Sequence, residues 1–398
     1  MLAAAASGKH PALSWLDGGP DRRSVVGLDP CDELRTDDVR ALDDLPTGCW
    51  IGWLTYEAGT DAVLGRAPKR RALPGVCLRR FDGLLTWGPE GVGTLGSAAA
   101  AERLAAVLRD HTPAPPRAWP LQRLQACVEP ETYRARVRAA LQEIAAGNTY
   151  QVNLSQLLRA AWSETAQVLP LHARVAALYG ALRRDTPASL GALLLDGDRA
   201  LVSNSPETLL HWENGVVTSS PIKGTRPRGA SPDEDAALAQ ALLHSHKDAA
   251  EHVMIVDLVR NDLGRIAAPG SVQASARPRL VTLQTVHHLV TDVTARLADG
   301  AGLGALMEAL FPGGSITGAP KRATVEIIER LEDVPRGLYC GGLVLITPEA
   351  VTVNIAIRSG VLNDGGLTVH GGGGIVIDSD PEAERLETLA KVRAFDRA

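Results

Sequence analysis

The chain has 398 residues, 45% hydrophobic and 22% charged, with a formal net charge of -5, the make-up of a soluble globular protein of two to three domain-sized units. Both signs of charge are scattered, so no basic stripe marks a nucleic-acid binder, and no apolar run approaches the roughly 18 residues of a membrane span. The five cysteines are scattered and form no CxxC pair, which excludes a cysteine-built zinc module and fits a reducing, cytoplasmic setting.

In chain order, the opening MLAAAASGKH has an apolar patch with no basic residues before it, so no signal peptide is expected. CWIGWLTYEAG (49–59) reads as strand-like pieces and SAAAAERLAAVLRD (97–110) as a helix. HTPAPPRAWP (111–120) is too proline-dense for an element and reads as a connector between an N-terminal region, 1–110, and a larger unit, 121–398. ETYRARVRAALQEIAA (131–146) places Val137, Ala140, Leu141, Ile144 and Ala145 at helical spacing, and Gly147 and Asn148 stop the helix. YQVNLS alternates Tyr150, Val152 and Leu154 with polar residues, the pattern of a half-buried strand. Strands are further expected over 188–195, 199–205, 215–220, 341–347, 351–359, 367–373 and 374–379, and helices over 233–246, 247–262, 318–332 and 380–395. The strands come in runs joined by tight turns such as NDGG (363–366), which favours antiparallel sheets with packed helices over a βαβ repeat.

Lys223, in SSPIKGTRPRG (219–229), is one of six lysines against 35 arginines. Burial would lower its pKa and free a neutral, nucleophilic amine; the other reading is a strand-end lysine paired with a carboxylate. Gly224 permits close approach of a ligand, Thr225 offers a hydroxyl, and Arg226 and Arg228 are suited to anchoring the turn. Glu207 follows a strand in SNSPETLL, where Pro206 makes the turn. It is either a general acid with a raised pKa or a solvent-facing turn acid.

Glu251 adjoins His252 in KDAAEHVMIVDLVRND, where Val253, Ile255, Val256 and Val259 supply an apolar face. Asp380 and Pro381 open the last helix, and Glu384 and Glu387, three apart, share one of its faces. Carboxylates converging from two helices suit a hard cation such as Mg2+. First-turn acids complementing the helix dipole are the alternative, and the better reading for Glu382. HGGGGIVID (370–378) is followed by a strand, not by the helix of a dinucleotide fingerprint. Its backbone N–H groups can face a carboxylate as an anion nest, which Arg358 would clamp, unless that arginine is a surface residue at a strand end. His244 and His246, two apart, point to different faces and make no zinc site, and SITGAPK (315–321) lacks the phosphate-loop pattern.

Eight ordered stretches, GNTYQVNLSQ, SNSPETLL, PIKGTRPRG, AEHVMIVDLVRNDLGRI, SITGAPKRATVEIIERLE, RGLYCGGL, NIAIRS and GGGGIVIDSDPEAERLETLAK, resemble the chorismate-utilising enzymes over residues 125–395. That family includes anthranilate synthase component I, aminodeoxychorismate synthase component I (para-aminobenzoate synthase component I) and the isochorismate and salicylate synthases. GCWIGWLTYEAG is a weaker match to the family's N-terminal region. PIKGT is similar to the aminodeoxychorismate branch; anthranilate synthases carry alanine at the lysine.

The resemblance implies an α+β fold, an anthranilate-synthase-like α/β sandwich of two packed antiparallel sheets with helices outside and the site in a cleft between them. It implies that chorismate and ammonia become 4-amino-4-deoxychorismate and water, toward p-aminobenzoate and folate or a specialised aromatic amine. Lys223 would attack the ring at C2 as the 4-hydroxyl departs, with Glu207 as general acid. Glu251 and Glu384, with Glu387 through water, would hold Mg2+ against the ring carboxylate. Tyr339, Arg358 and the backbone of Gly372, Gly373 and Gly374 would hold the pyruvyl carboxylate, and Gly224, Thr225, His288 and Thr317 would be further substrate-binding positions.

There are departures from the family pattern. The chain is shorter than typical members, the loss falling before residue 120. LSWLDGG stands where tryptophan-regulated members carry an LLES-type motif, which argues against tryptophan feedback. GGGG and YCGG replace the commoner GAG and YCGS. No GxCxG motif of a glutaminase is present, so ammonia is expected to be free or delivered by a separate glutamine amidotransferase subunit, and no pyruvate-releasing segment is expected. The rival readings are anthranilate synthase component I, a Schiff-base lysine enzyme using pyridoxal phosphate, and a non-catalytic chorismate-binding regulatory protein.

Overall fold

Within Leu190–Asp196, Ala192 and Leu194 enter one hydrophobic core while Leu193 and Leu195 enter another, the period-two alternation of a strand buried on both faces. Within Cys49–Leu54, Ile51 and Trp53 join the first of these cores, and Trp50 and Leu54 a third. The computed structural model, which describes residues 1–19, 22–68, 71–110, 118–282 and 286–397, thus stacks two sheets. The shared core lies between them, and each outer face is covered by helices.

All strand pairings are antiparallel among the described residues. One sheet has eleven strands, whose main path runs Gly318–Ala319, Gln151–Ala160, Gly366–Ile375, Ser359–Asn363, Arg199–Ser205, Leu190–Asp196, Ser14–Asp17, Ser24–Gly27, Gly83–Gly88, Gly91–Gly96. Its outer face packs on the Leu171–Asp185 helix through Val175, Leu178 and Leu182. The other sheet has nine strands, with Thr208–Glu213, Ala350–Ala356, Gly341–Ile346 and Cys49–Leu54 adjacent at its centre. The core on its outer face takes in the helix Leu303–Leu310 and continues to Val152, Leu154 and Ile375 of the eleven-stranded sheet, on which the helices Pro130–Ala145 and Lys321–Leu331 pack. Strands from before residue 110 enter both sheets. Residues 111–117 of the proline-rich connector lie outside the described residues.

The chain passes from one sheet to the other at several places, and two of these crossings bear on the site. Arg199–Ser205 belongs to the eleven-stranded sheet and Thr208–Glu213 to the nine-stranded one, with Glu207 at the crossing. The single strand expected over 351–359 is instead two, Ala350–Ala356 and Ser359–Asn363, one in each sheet, with Arg358 between them at φ 50. The crossings are tied together: Asn204 N donates to Arg358 O at 3.0 Å, and Ile355 N donates to Glu207 O at 2.9 Å.

A third, three-stranded sheet of Ile222–Pro227, Val286–Val290 and Arg279–Thr282 was not anticipated. It places Lys223 inside a strand and not beside a turn. The register shifts between Lys223 and Thr225, and Gly224 at φ 72 is the bulge, a conformation glycine takes without steric cost.

Other expectations shift for physical reasons. Tyr150 is 72% exposed and Gln151, Asn153 and Ser155 are buried, because Gln151–Ala160 is covered on both faces. Residues 56–59, the end of the stretch expected to be strand-like, instead open the helix Tyr56–Leu64, ended by left-handed Gly65. The glycines expected to separate two strands over 367–379 instead run through one, Gly366–Ile375. Val253 is 59% exposed, leaving Ile255 as the fully buried member of its expected face.

Candidate active site

Because both crossings lie at the same end of the sandwich, Glu207 and Arg358 come to one cavity of about 180 Å3, lined also by Lys223, Asn153, Ser315, Tyr339, His370, Gly372, Gly374 and Lys391. Glu207 is buried, not solvent-facing. Burial raises the pKa of its carboxyl, against the opposing effects of a 2.9 Å hydrogen bond from Ser315 Oγ and of the charges on Lys223 and Arg358. That setting favours the protonated carboxyl over the carboxylate. Arg358 lines the cavity and is exposed; partial burial of its guanidinium lowers its pKa, partly offset by Glu207.

Lys223 is partly buried in the small sheet. Burial lowers its pKa, and Lys391 reinforces that, while Glu207, Glu251 and Glu387 oppose it. Among the described residues no hydrogen bond or close ion pair fixes its ammonium, so the strand-end ion pair is not what the structure contains. Gly224 has no room for a side chain, since a β-carbon would meet Leu242 and Asp248. Thr225 and His288 face each other across the ladder, with Thr225 Oγ1 3.0 Å from His288 Nδ1. Burial lowers the pKa of that histidine. Arg226 does anchor, pairing with Asp248 on the His246–Gly264 helix at 2.7 Å, while Arg228 pairs with Asp235. Glu251 stands one turn beyond Asp248 on that helix.

The glycine run is a regular strand, and residues 367–375 pair with 152–160 without interruption. It is therefore not a nest. The 359–363 strand stops pairing at Val369, so beyond it the other edge has no strand partner among the described residues, and Gly371, Gly372 and Gly374 line the cavity there. A β-carbon on Gly372 would collide with the phenol oxygen of Tyr339, and one on Gly374 would stand 2.6 Å from Gln151 Nε2. Gly373 faces the opposite way, toward the Pro381–Lys391 helix.

Over Gly373, Glu384 Oε2 and Glu387 Oε1 lie 3.0 and 3.6 Å from where its β-carbon would stand, so the two acids do share a helix face. Ser379 Oγ donates to Glu384 Oε1 at 2.5 Å, and Glu387 Oε1 pairs with Lys391 Nζ at 2.6 Å. Glu382 is engaged elsewhere, by Arg385 and Arg134. Among the described residues no three His, Cys, Asp or Glu side chains form a ready-made metal cluster. An all-carboxylate donor set nonetheless has the chemistry a hard cation takes, and two of its members converge.

Thr317 stands behind the wall, fully buried, its hydroxyl donating to Gly313 O at 3.0 Å. Ser315, two residues earlier, is the group that reaches Glu207. Ser315, Asn153, His370 and Lys391 were missed from sequence. Only Lys391 carried a signal, its position four residues after Glu387. His370 stacks on Tyr339, ring centroids 5.5 Å apart at 10°, and burial lowers its pKa to about 4, so it presents a neutral ring. Lys321, in the segment dismissed as a phosphate loop, is buried against Asp262 at 2.7 Å. A second cavity, about 200 Å3, lies beside the Tyr56–Leu64 helix. Its Glu329, Glu332 and Asp333 already pair with Arg66, Arg336 and Arg136, which leaves those charges no unmet demand for a ligand. No described helix is long and apolar enough to cross a membrane.

Residues 8–397 match the family model for chorismate binding enzyme. The chain is 38% identical over 391 residues to "Anthranilate synthase component 1 1" of Haloarcula marismortui, covering 90% of this chain and 78% of that one. It is 47% identical over 261 residues to "Aminodeoxychorismate synthase" of Streptomyces griseus, covering 65% of this chain and 35% of that protein, so it spans about a third of that relative's length. Among solved structures, anthranilate synthase component I from Streptococcus pneumoniae superposes with a TM-score of 0.80 at 26% identity, covering 96% of this chain and 94% of that one.

Proposed function

Since this chain belongs to the family of chorismate binding enzymes, we propose that it is an aminodeoxychorismate synthase component I, converting chorismate and ammonia to 4-amino-4-deoxychorismate and water. The observation that carries this reading is Lys223, an amine with a lowered pKa on the wall of the cavity that also holds Glu207. Relatives named anthranilate synthase and aminodeoxychorismate synthase match at comparable identity, so the choice between them rests on this residue.

The neutral amine of Lys223 attacks ring C2, the two ring double bonds shift from C1=C2 and C5=C6 to C1=C6 and C4=C5, and the C4–O bond breaks as Glu207 gives its proton to the departing hydroxyl, which leaves as water. Ammonia then adds at C4, both double bonds shift back to C5=C6 and C1=C2, and the C2–N bond breaks to return Lys223 neutral; the proton of the new ammonium goes to Glu207. The two steps divide one hard displacement. Arg358, Tyr339 and the open strand edge at Gly372 and Gly374 hold the pyruvyl carboxylate. Glu384 and Glu387, with Glu251, would hold Mg2+, which when bound supplies positive charge for the ring carboxylate. The "component 1" in relatives' names supports a second component, which on this reading is a glutaminase delivering ammonia.

The test is incubation with chorismate, ammonium and Mg2+ followed by product mass. A mass matching 4-amino-4-deoxychorismate is expected. A fluorescent aminobenzoate with released pyruvate would instead establish anthranilate synthase activity, and binding without turnover a regulatory protein.

A further inference from the structure

We propose that Glu57, on the Tyr56–Leu64 helix of the N-terminal region and no part of the cavity lining, is a positioning residue for the substrate cavity, acting through the turn that carries Tyr339. The inference rests on the reading of that cavity as the chorismate site.

Tyr339 sits between two residues in left-handed backbone conformation, Gly337 at φ 57 and Cys340 at φ 61. A non-glycine residue there is strained and persists only where its surroundings hold it. The C-terminal side is held by Cys340 N donating to Ala356 O at 2.9 Å. The N-terminal side is held by the helix. Glu57 Oε1 accepts from Arg336 N at 2.8 Å and Gly337 N at 3.2 Å, Oε2 accepts from Gly337 N at 3.1 Å, and Tyr56 N donates to Gly337 O at 2.8 Å. The Gly337 residue is thus clamped at both its N–H and its C=O by consecutive residues of the N-terminal region.

The clamp also sets the Arg336 side chain. Its guanidinium lies near both the Tyr56 and the Tyr339 rings, 4.7 and 5.6 Å from their centroids, and pairs with Glu332 at 2.7 Å. It donates to Asn153 O at 2.8 Å and Ile316 O at 3.2 Å. Asn153, Ile316 and Tyr339 all line the cavity. Glu57 is 4% exposed, so removing its carboxylate leaves two buried N–H donors unmet. The turn then relaxes to find partners, and Tyr339, against which Gly372 leaves no slack, moves with it.

Chorismate binding is measured by calorimetry with Mg2+ for wild type, Glu57→Ala, Glu57→Gln, Tyr339→Phe and the double variant Glu57→Ala/Tyr339→Phe. Glu57→Ala should weaken binding about tenfold or more, and Glu57→Gln, whose amide oxygen can accept both N–H groups, should restore it to within about twofold. The double variant should match the weaker single variant instead of showing the product of the two effects. If the alanine variant does not fold, Glu57→Asp, too short to reach both donors, takes its place with the same expectation of weakened binding. Wild-type affinity in Glu57→Ala, or independent multiplication of the two effects, overturns the inference alone. Failure of the wild type to bind chorismate overturns both the inference and the functional reading.

Discussion

Ser315 Oγ donates to Glu207 Oε1 at 2.9 Å, the side-chain hydrogen bond that restrains a carboxyl whose pKa burial has raised. Removing the donor by Ser315→Ala should raise that pKa further, since a bond to the charged form is lost. A general acid works below its pKa, so the alkaline limb of the kcat profile should move to higher pH. An unmoved limb would separate Glu207 from the proton transfer, as would Glu207→Gln losing less than the roughly 100- to 10,000-fold typical of a general acid.

Lys223→Ala should abolish 4-amino-4-deoxychorismate formation or divert the cavity to slower direct addition of ammonia, read by product mass. Lys223→Arg should fail as well, because a guanidinium stays protonated. Wild-type turnover in the alanine variant would count against a covalent role.

Gly372→Ala places a methyl group on the Tyr339 phenol oxygen. It should raise KM for chorismate and destabilise the fold by about 1–3 kcal/mol. Adding Tyr339→Phe, which removes the colliding oxygen, should recover part of the stability; a purely additive double variant in urea melts would refute the contact.

The Lys321–Asp262 pair is buried, with Lys321 Nζ also donating to Ala309 O at 3.2 Å and Leu310 O at 3.1 Å. Asp262→Ala strands a buried ammonium and should cost about 3–5 kcal/mol, and adding Lys321→Met should recover much of it. Denaturant titration of the single and double variants checks both values.

Burial raises Glu57 from its ordinary 4.5 to about 7, against bonds from the Gly337 and Arg336 N–H groups and the nearby Arg336 charge. The folded state therefore keeps a proton that the unfolded chain releases. Stability from this group is complete below pH 4.5 and declines as pH rises toward 7, by about 3 kcal/mol at about 1.4 kcal/mol per pKa unit. Urea unfolding at pH 5 and pH 8 should show Glu57→Gln losing less stability across the interval than wild type.

The amphipathic helix over 131–146 and the capped helix opening at Asp380 were legible because helical spacing and caps are local. The half-burial expected of YQVNLS failed because a second covering layer comes from residues far away in the chain.

By itself the sequence determined which groups this protein has for chemistry: a rare lysine before glycine, a glutamate after a turn-making proline, two glutamates on one helix face, and an ordered set of motifs that fixes the family. Only the tertiary structure decided that Glu207 and Arg358 meet, because both lie where strands leave one sheet for the other, and a change of sheet has no local signature in a run such as VTVNIAIRS. It decided too that Glu57 braces the turn of Tyr339. That contact spans 279 residues of chain, and hydrogen bonds of such separation follow from how the sheets stack, not from any periodicity along the chain.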